Sequence, residues 1–275
     1  VNNILNLYDI ELKRIYKWYL ALLSILLVGN IGTVARHIRN IIIRVASDTK
    51  SKESLSLMRL QQAKKYLYET HILNIYESTI LLLGLAVLIC LVYALIIWYR
   101  DFVGKNKTGY TLFMLPNNKF NVYIAKAITI VVMIFGVMLM QMLFWGVDIL
   151  ILKTVTNVPM KEIFGLANNM NGVIRNLTLI QPYLIDFIMI NIIGVILAVL
   201  VIFTAVMIQK SFKIKTLGIA LGIVYVFASI IIFARIGAAT PFSDKNLMGH
   251  IIYFIGLFVV SVGLSYTLLN KKVYI

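Results

Sequence analysis

The sequence predicts an all-α integral membrane protein with six transmembrane helices and an N-terminal interfacial amphipathic helix. Three observations predict it. Six uncharged apolar stretches, each about one bilayer thick, organise the chain. Of its 275 residues 61% are hydrophobic and 13% charged, with a mean hydropathy of +0.91. No connection between the stretches is large or apolar enough for a separate soluble core, so residues 1–275 are expected to form a single transmembrane domain.

The stretches are Trp18–Ala35, Thr79–Tyr99, Ala127–Val147, Phe187–Gln209, Thr216–Ala234 and Ile251–Asn270. A helix rises about 1.5 Å per residue, so roughly 20 residues cross a hydrocarbon core of about 30 Å. None of the six contains Asp, Glu, Lys or Arg. Lipid offers no partner for backbone N–H and C=O groups, so each stretch is stable there only as a helix.

The connections follow in order. In residues 2–17, Ile4, Leu5, Tyr8, Leu12, Ile15 and Tyr16 recur at helical spacing, with Asp9, Glu11, Lys13 and Arg14 mostly elsewhere around the helix. This predicts an amphipathic helix in the membrane interface before the chain turns inward; the alternative is a plain extension of the first span. Arg36, His37 and Arg39 follow the first span where a signal peptide would have small residues, so no cleavage is expected. The longest connection, residues 36–78, is mostly polar, with a helix expected from about Glu53 to Tyr68.

The second connection, residues 100–121, is short and basic. Thr108 can cap a short helix over Gly109–Leu115, which Pro116 helps to end. The third, Ile149–Asp186, carries Pro159, several asparagines and an expected short helix near Met160–Leu166. The fourth, Lys210–Lys215, is very tight, and the fifth, Arg235–His250, contains Pro241.

The net charge is +15. Lys and Arg flanking spans meet anionic head groups, so membrane lipid and not nucleic acid is the expected partner of these charges. Total Lys and Arg do not separate the two sides. The tight fourth connection, with Lys210, Lys213 and Lys215, does, and places both termini in the cytosol of a cell-membrane, multi-pass protein. Cys90 is the only cysteine, so no internal disulfide or thiolate cluster forms.

The sequence carries no P-loop, no H-E-x-x-H and no G-x-S-x-G. His37, His71 and His250 have no metal-ligand spacing and read as interfacial side chains. No catalytic constellation, metal site or cofactor is therefore expected. Asp148 and Asp186 sit at span margins, where a carboxylate is either a functional candidate or hydrated at head-group level. Gln141 and Asn191 lie inside spans, as interhelical glue or as part of a pathway. Gly218 and Gly222 form a G-x-x-x-G pair that permits close helix approach.

The second connection is the most specific feature. A short helix flanked by Lys and ended by Pro resembles the coupling segment of an exporter permease. Phe113, Met114 and Leu115 would supply its apolar contact, with Tyr110 and Thr111 at the edge and Pro116 at the end. With the run Asp9–Arg14, the six spans, Arg100-Asp101, Lys119 and Lys126, the chain resembles the permease subunit of a type-2 ATP-binding-cassette exporter over nearly its full length. The resemblance implies a non-enzymatic subunit that pairs with a second permease, the same or different, above two ATPase subunits. Closure of the ATPases on ATP would be carried into the spans by the second connection. Substrates of similar systems include amphipathic peptides, antibiotics, lipids and ions. The competing readings are a membrane assembly or sensory subunit that transports nothing, and a lipid-modifying enzyme, which the missing catalytic cluster disfavours.

Overall fold

The structure is a computed structural model that describes residues 2–51, 57–103, 119–156, 188–237 and 244–271. The described residues are helical apart from the turn at 212–214. Helix α1 is Asn2–Ser51, α2 Leu57–Val103 and α3 Lys119–Thr156. A π-helical turn, Ile188–Gly194, leads into α4, Val195–Ser211. Helices α5, Lys215–Gly237, and α6, Asp244–Lys271, follow. Six helical segments among the described residues are long and apolar enough to cross a membrane, as expected of a multi-pass protein. They are Ile4–Asn40, Ser78–Phe102, Lys119–Asp148, Ile188–Ser211, Lys215–Ile236 and Met248–Asn270.

The first two helices differ from the sequence reading. The N-terminal segment is helical, but no turn follows residue 17, and α1 runs unbroken for 50 residues. At 1.5 Å per residue that is about 75 Å, well over twice the apolar thickness of a bilayer. Helix α2 likewise begins at Leu57, so the helix expected near 53–68 is continuous with the second span. The reason lies in composition: between Gly32 and Gly84 there is neither glycine nor proline to break a helix.

The chain forms two compact units. Unit 1 comprises residues 1–17, 88–135 and 185–275; unit 2 comprises 18–87 and 136–184. In unit 1, α4 is the central element, with half of its apolar window buried against 17% for α5 and for α6. It buries Leu197, Val199, Leu200, Phe203, Val206 and Met207 among others, and a helix apolar all round belongs in a core. Gly218 and Gly222 bring α5 onto it. A Cβ at Gly218 would lie 2.5 Å from the Gln209 carbonyl oxygen, and one at Gly222 2.9 Å from that of Ala205. The G-x-x-x-G pair therefore packs two helices of the same unit.

Hydroxyl groups complete the packing of α6. The Thr204 hydroxyl lies 3.0 Å from Ser265 Oγ, and the Tyr225 hydroxyl 2.8 Å from Ser261 Oγ. The Tyr253 hydroxyl donates to the Ser229 carbonyl. His250 is not interfacial but buried, edge-on to Phe233 and Phe254, which supply the apolar walls that an imidazole packs against.

Two buried polar contacts between side chains hold unit 2 among the described residues. Asn30 on α1 and Gln141 on α3 exchange both amide hydrogen bonds, at 3.1 and 2.9 Å, and Asn30 also donates to the Leu26 carbonyl. Trp145 Nε1 donates to Thr79 Oγ1 at 2.9 Å, joining α3 to α2. A Cβ on Gly29 would stand 3.1 Å from Leu82, so α1 and α2 run closely side by side there.

Candidate functional site: a buried ionic cluster at the stems of the second connection

Three pieces of chain converge at one end of unit 1. The first is the N-terminal part of α1. Leu7, Glu11 and Ile15, at i, i+4 and i+8, are its buried residues, while Leu5, Ile10 and Tyr16 are exposed. Leu7 packs on Val122 and Ala125 of α3, with Ile4 beside them. The buried stripe is thus rotated from the one expected, and it carries a carboxylate at its centre. Asp9 and Lys13 stay on the exposed side, paired at 2.6 Å.

The second piece is the end of α2, Trp98–Phe102, and the third is the start of α3, Phe120–Lys126. Trp98 stacks on Phe102 and meets Phe203 of α4 edge-on; Tyr123 also meets Phe203 edge-on. Inside this aromatic wall Lys126 is 1% exposed, Glu11 4% and Asp101 3%. Lys126 Nζ donates to Glu11 Oε1 at 2.8 Å and to Asp101 Oδ2, and sits 5.2 Å from the Trp98 ring centroid. Arg100 donates to the other Glu11 oxygen, Oε2, at 2.5 Å and to the Tyr93 hydroxyl at 3.1 Å.

Each buried charge is balanced by an opposite one: the two carboxylates face the Lys126 ammonium and the Arg100 guanidinium, with Arg14 a further 3.6 Å contact of Glu11 at the more exposed edge. Balance is what makes their burial tolerable, because an isolated ion taken from water costs several kcal/mol even after the protein relaxes, an order-of-magnitude figure. Lys126 supplies one proton to each acid, and Arg100 closes the remaining oxygen of Glu11. Asp101 and Lys126 stand on the two sides of residues 104–118, and Glu11 ties both to the N-terminal helix. The cluster can therefore hold the two stems of the second connection and α1 at fixed separation, and it has no catalytic geometry of its own.

The coupling residues expected from sequence, Tyr110, Thr111, Phe113, Met114, Leu115 and Pro116, lie outside the described residues. So do Asp186 and the short helix expected at 160–166. Of the other candidates, Gln141 is engaged with Asn30 as interhelical glue. Asn191 is buried in the π-helical turn, its Nδ2 without a hydrogen-bond partner among the described residues. Asp148 is buried in unit 2, with no partner for Oδ2 among the described residues, and is not the exposed head-group residue considered above. No group of three or more His, Cys, Asp or Glu suited to a metal occurs among the described residues.

Sequence reading missed the cluster because Arg100, Asp101 and Lys126 stand just outside uncharged stretches and Glu11 lies in the segment read as an interfacial helix. The signal was a lysine in line with apolar positions: Val122, Lys126, Thr129 and Met133 follow helical spacing on one face of α3. Comparison with known proteins finds no matching family, no matching curated protein and no matching solved structure.

Proposed function

We propose that this chain is the membrane-spanning permease subunit of an ATP-driven exporter, coupled to a separate ATPase through the second connection. The observation that supports it most is the ionic cluster. Buried ions of alternating sign are a costly way to gain stability and a good way to fix register. Here they sit on both stems of the one short connection whose residues resemble a coupling segment. A force applied at residues 104–118 passes through Asp101 and Lys126 into α2, α3 and the N-terminal part of α1 together.

In this reading the cell membrane is the location, both termini are cytosolic, and a second permease subunit completes the pathway. Amphipathic peptides, antibiotics or lipids are the substrate classes proposed. ATP hydrolysis belongs to the partner.

The test is affinity purification of the tagged protein from its native membranes. An ATP-binding-cassette ATPase should be recovered with it, and Phe113→Asp with Leu115→Asp should abolish that recovery while the permease itself is still recovered. An intact protein that brings down no ATPase overturns the proposal and favours a non-transporting subunit. Reporters active only in the cytosol, fused to each terminus, check the orientation; silence from both would turn the second connection away from any ATPase.

A further inference from the structure

We propose that the cavity beside the α4–α5 turn is a binding site for a phosphate group presented by the head group of an anionic phospholipid. The cavity encloses roughly 520 Å³, within the range of ligand sites, and is lined by Tyr99, Gln209, Lys210, Phe212, Lys213 and Lys215. Its charged lining residues are all lysines. Three ammonium groups face it, and the Tyr99 hydroxyl donates to Gln209 Oε1, leaving the Gln209 amide nitrogen as a further donor.

The contrast with the paired cations of unit 1 bears on the ligand's charge. Lys13, Arg14, Arg100 and Lys126 each have a carboxylate within ion-pair distance. Among the described residues no carboxylate pairs with Lys210, Lys213 or Lys215. Lys210 is nevertheless held in place, its Nζ 5.4 Å from the Tyr99 ring centroid and 5.0 Å from that of Phe102. Three like charges gathered round one cavity, with no counter-charge among the described residues, call for an anion rich in acceptor oxygens, and a phosphate, with four tetrahedrally arranged oxygens, spans more of the rim than a planar carboxylate with two.

Position identifies the source. The cavity opens where two apolar helices end, so its mouth lies at head-group level. Phe212, Ile214 and Leu217 are exposed around it, and Ile219, Ile223 and Phe227 continue an exposed apolar path along α5. Acyl chains can lie along that path, whereas a free phosphate has no use for it. This inference is independent of the exporter reading, since a non-transporting membrane subunit would carry the same site.

Native mass spectrometry of the full chain in neutral detergent tests it, by titration with dioleoyl phosphatidylglycerol and dioleoyl phosphatidylcholine. The first phosphatidylglycerol should bind about tenfold more tightly, in line with what one or two near-surface lysines contribute at an anionic interface. K210Q/K213Q/K215Q should lose that preference, and K210R/K213R/K215R should keep it, which separates lost charge from lost folding. Equal binding of the two lipids overturns the site. So does a preference that survives the triple Gln change, or one that falls equally in K13Q/K17Q/K153Q. Competition by oleate as effective as by phosphatidylglycerol would overturn the phosphate assignment. Displacement of the lipid by equimolar glycerol 3-phosphate would overturn the lipid source.

Discussion

In unit 1 Lys126 is enclosed by Glu11 and Asp101, whereas the deepest polar contact of unit 2 is a pair of neutral amides, Asn30 and Gln141. The Glu11–Lys126 and Asn30–Gln141 contacts each join α1 to α3 across more than a hundred positions, yet they carry different stakes. The amide pair is neutral: each side chain satisfies the other, and its one further bond is to the Leu26 carbonyl of its own helix. The ionic cluster is distributed over three helices, and the loss of any member leaves a buried charge without compensation. Neutral pairs suffice where helices need only stay side by side. Charges are kept where the relative position of three chain segments has to be fixed, as at the stems of the second connection.

The largest expected effect comes from breaking the cluster at its centre. Lys126→Met removes the ammonium between two buried carboxylates and should destabilise the protein by about 3–5 kcal/mol, the usual cost of orphaning a buried charge. Thermal unfolding of the purified protein, followed by tryptophan fluorescence, measures it. The sharper test is E11Q/D101N/K126M, which removes the three fully buried charges together, leaves only the partly exposed Arg100, and should recover most of that loss. A triple variant as unstable as Lys126→Met would mean that packing, not charge balance, is what Lys126 provides.

Next in size is the α4–α5 contact. Gly218→Ala should cost about 1–3 kcal/mol, the range for overpacking, because its Cβ would stand 2.5 Å from a backbone carbonyl oxygen. Gly222→Ala, at 2.9 Å, should cost less. If the order is reversed, α5 is free to slide on α4 and the contact is not the constraint described.

The smallest effect is expected in unit 2. Gln141→Leu strands the Asn30 amide and should cost about 0.6–1.7 kcal/mol, as interhelical hydrogen bonds do in membrane proteins. N30L/Q141L should return close to the parent stability by the same unfolding measurement. Were Gln141→Leu to cost as much as Lys126→Met, the distinction between the two polar contacts would fail.

Much of the architecture was legible in the sequence because lipid imposes a local rule. Every backbone polar group must be satisfied within its own segment, so an uncharged apolar run such as Thr79–Tyr99 announces a helix without reference to the rest of the chain. The G-x-x-x-G pair was legible for a similar reason, since small residues at that spacing leave room for one neighbour. The candidate site was much less legible. Glu11 looked like part of a polar face, and Lys126 like a flanking charge. Only their mutual approach across 115 positions shows that each makes the other's burial tolerable.

The sequence by itself therefore determined the number of spans and the helical state of the chain, since hydropathy and the absence of helix breakers act over tens of residues at most. Only the tertiary structure decided which charged residues are buried, which helix stands at the centre of unit 1, and that Tyr99 of α2 lines one cavity with the lysines of the α4–α5 turn. Those are properties of pairs and groups far apart in the chain, and electrostatic compensation, unlike hydropathy, has no local signature.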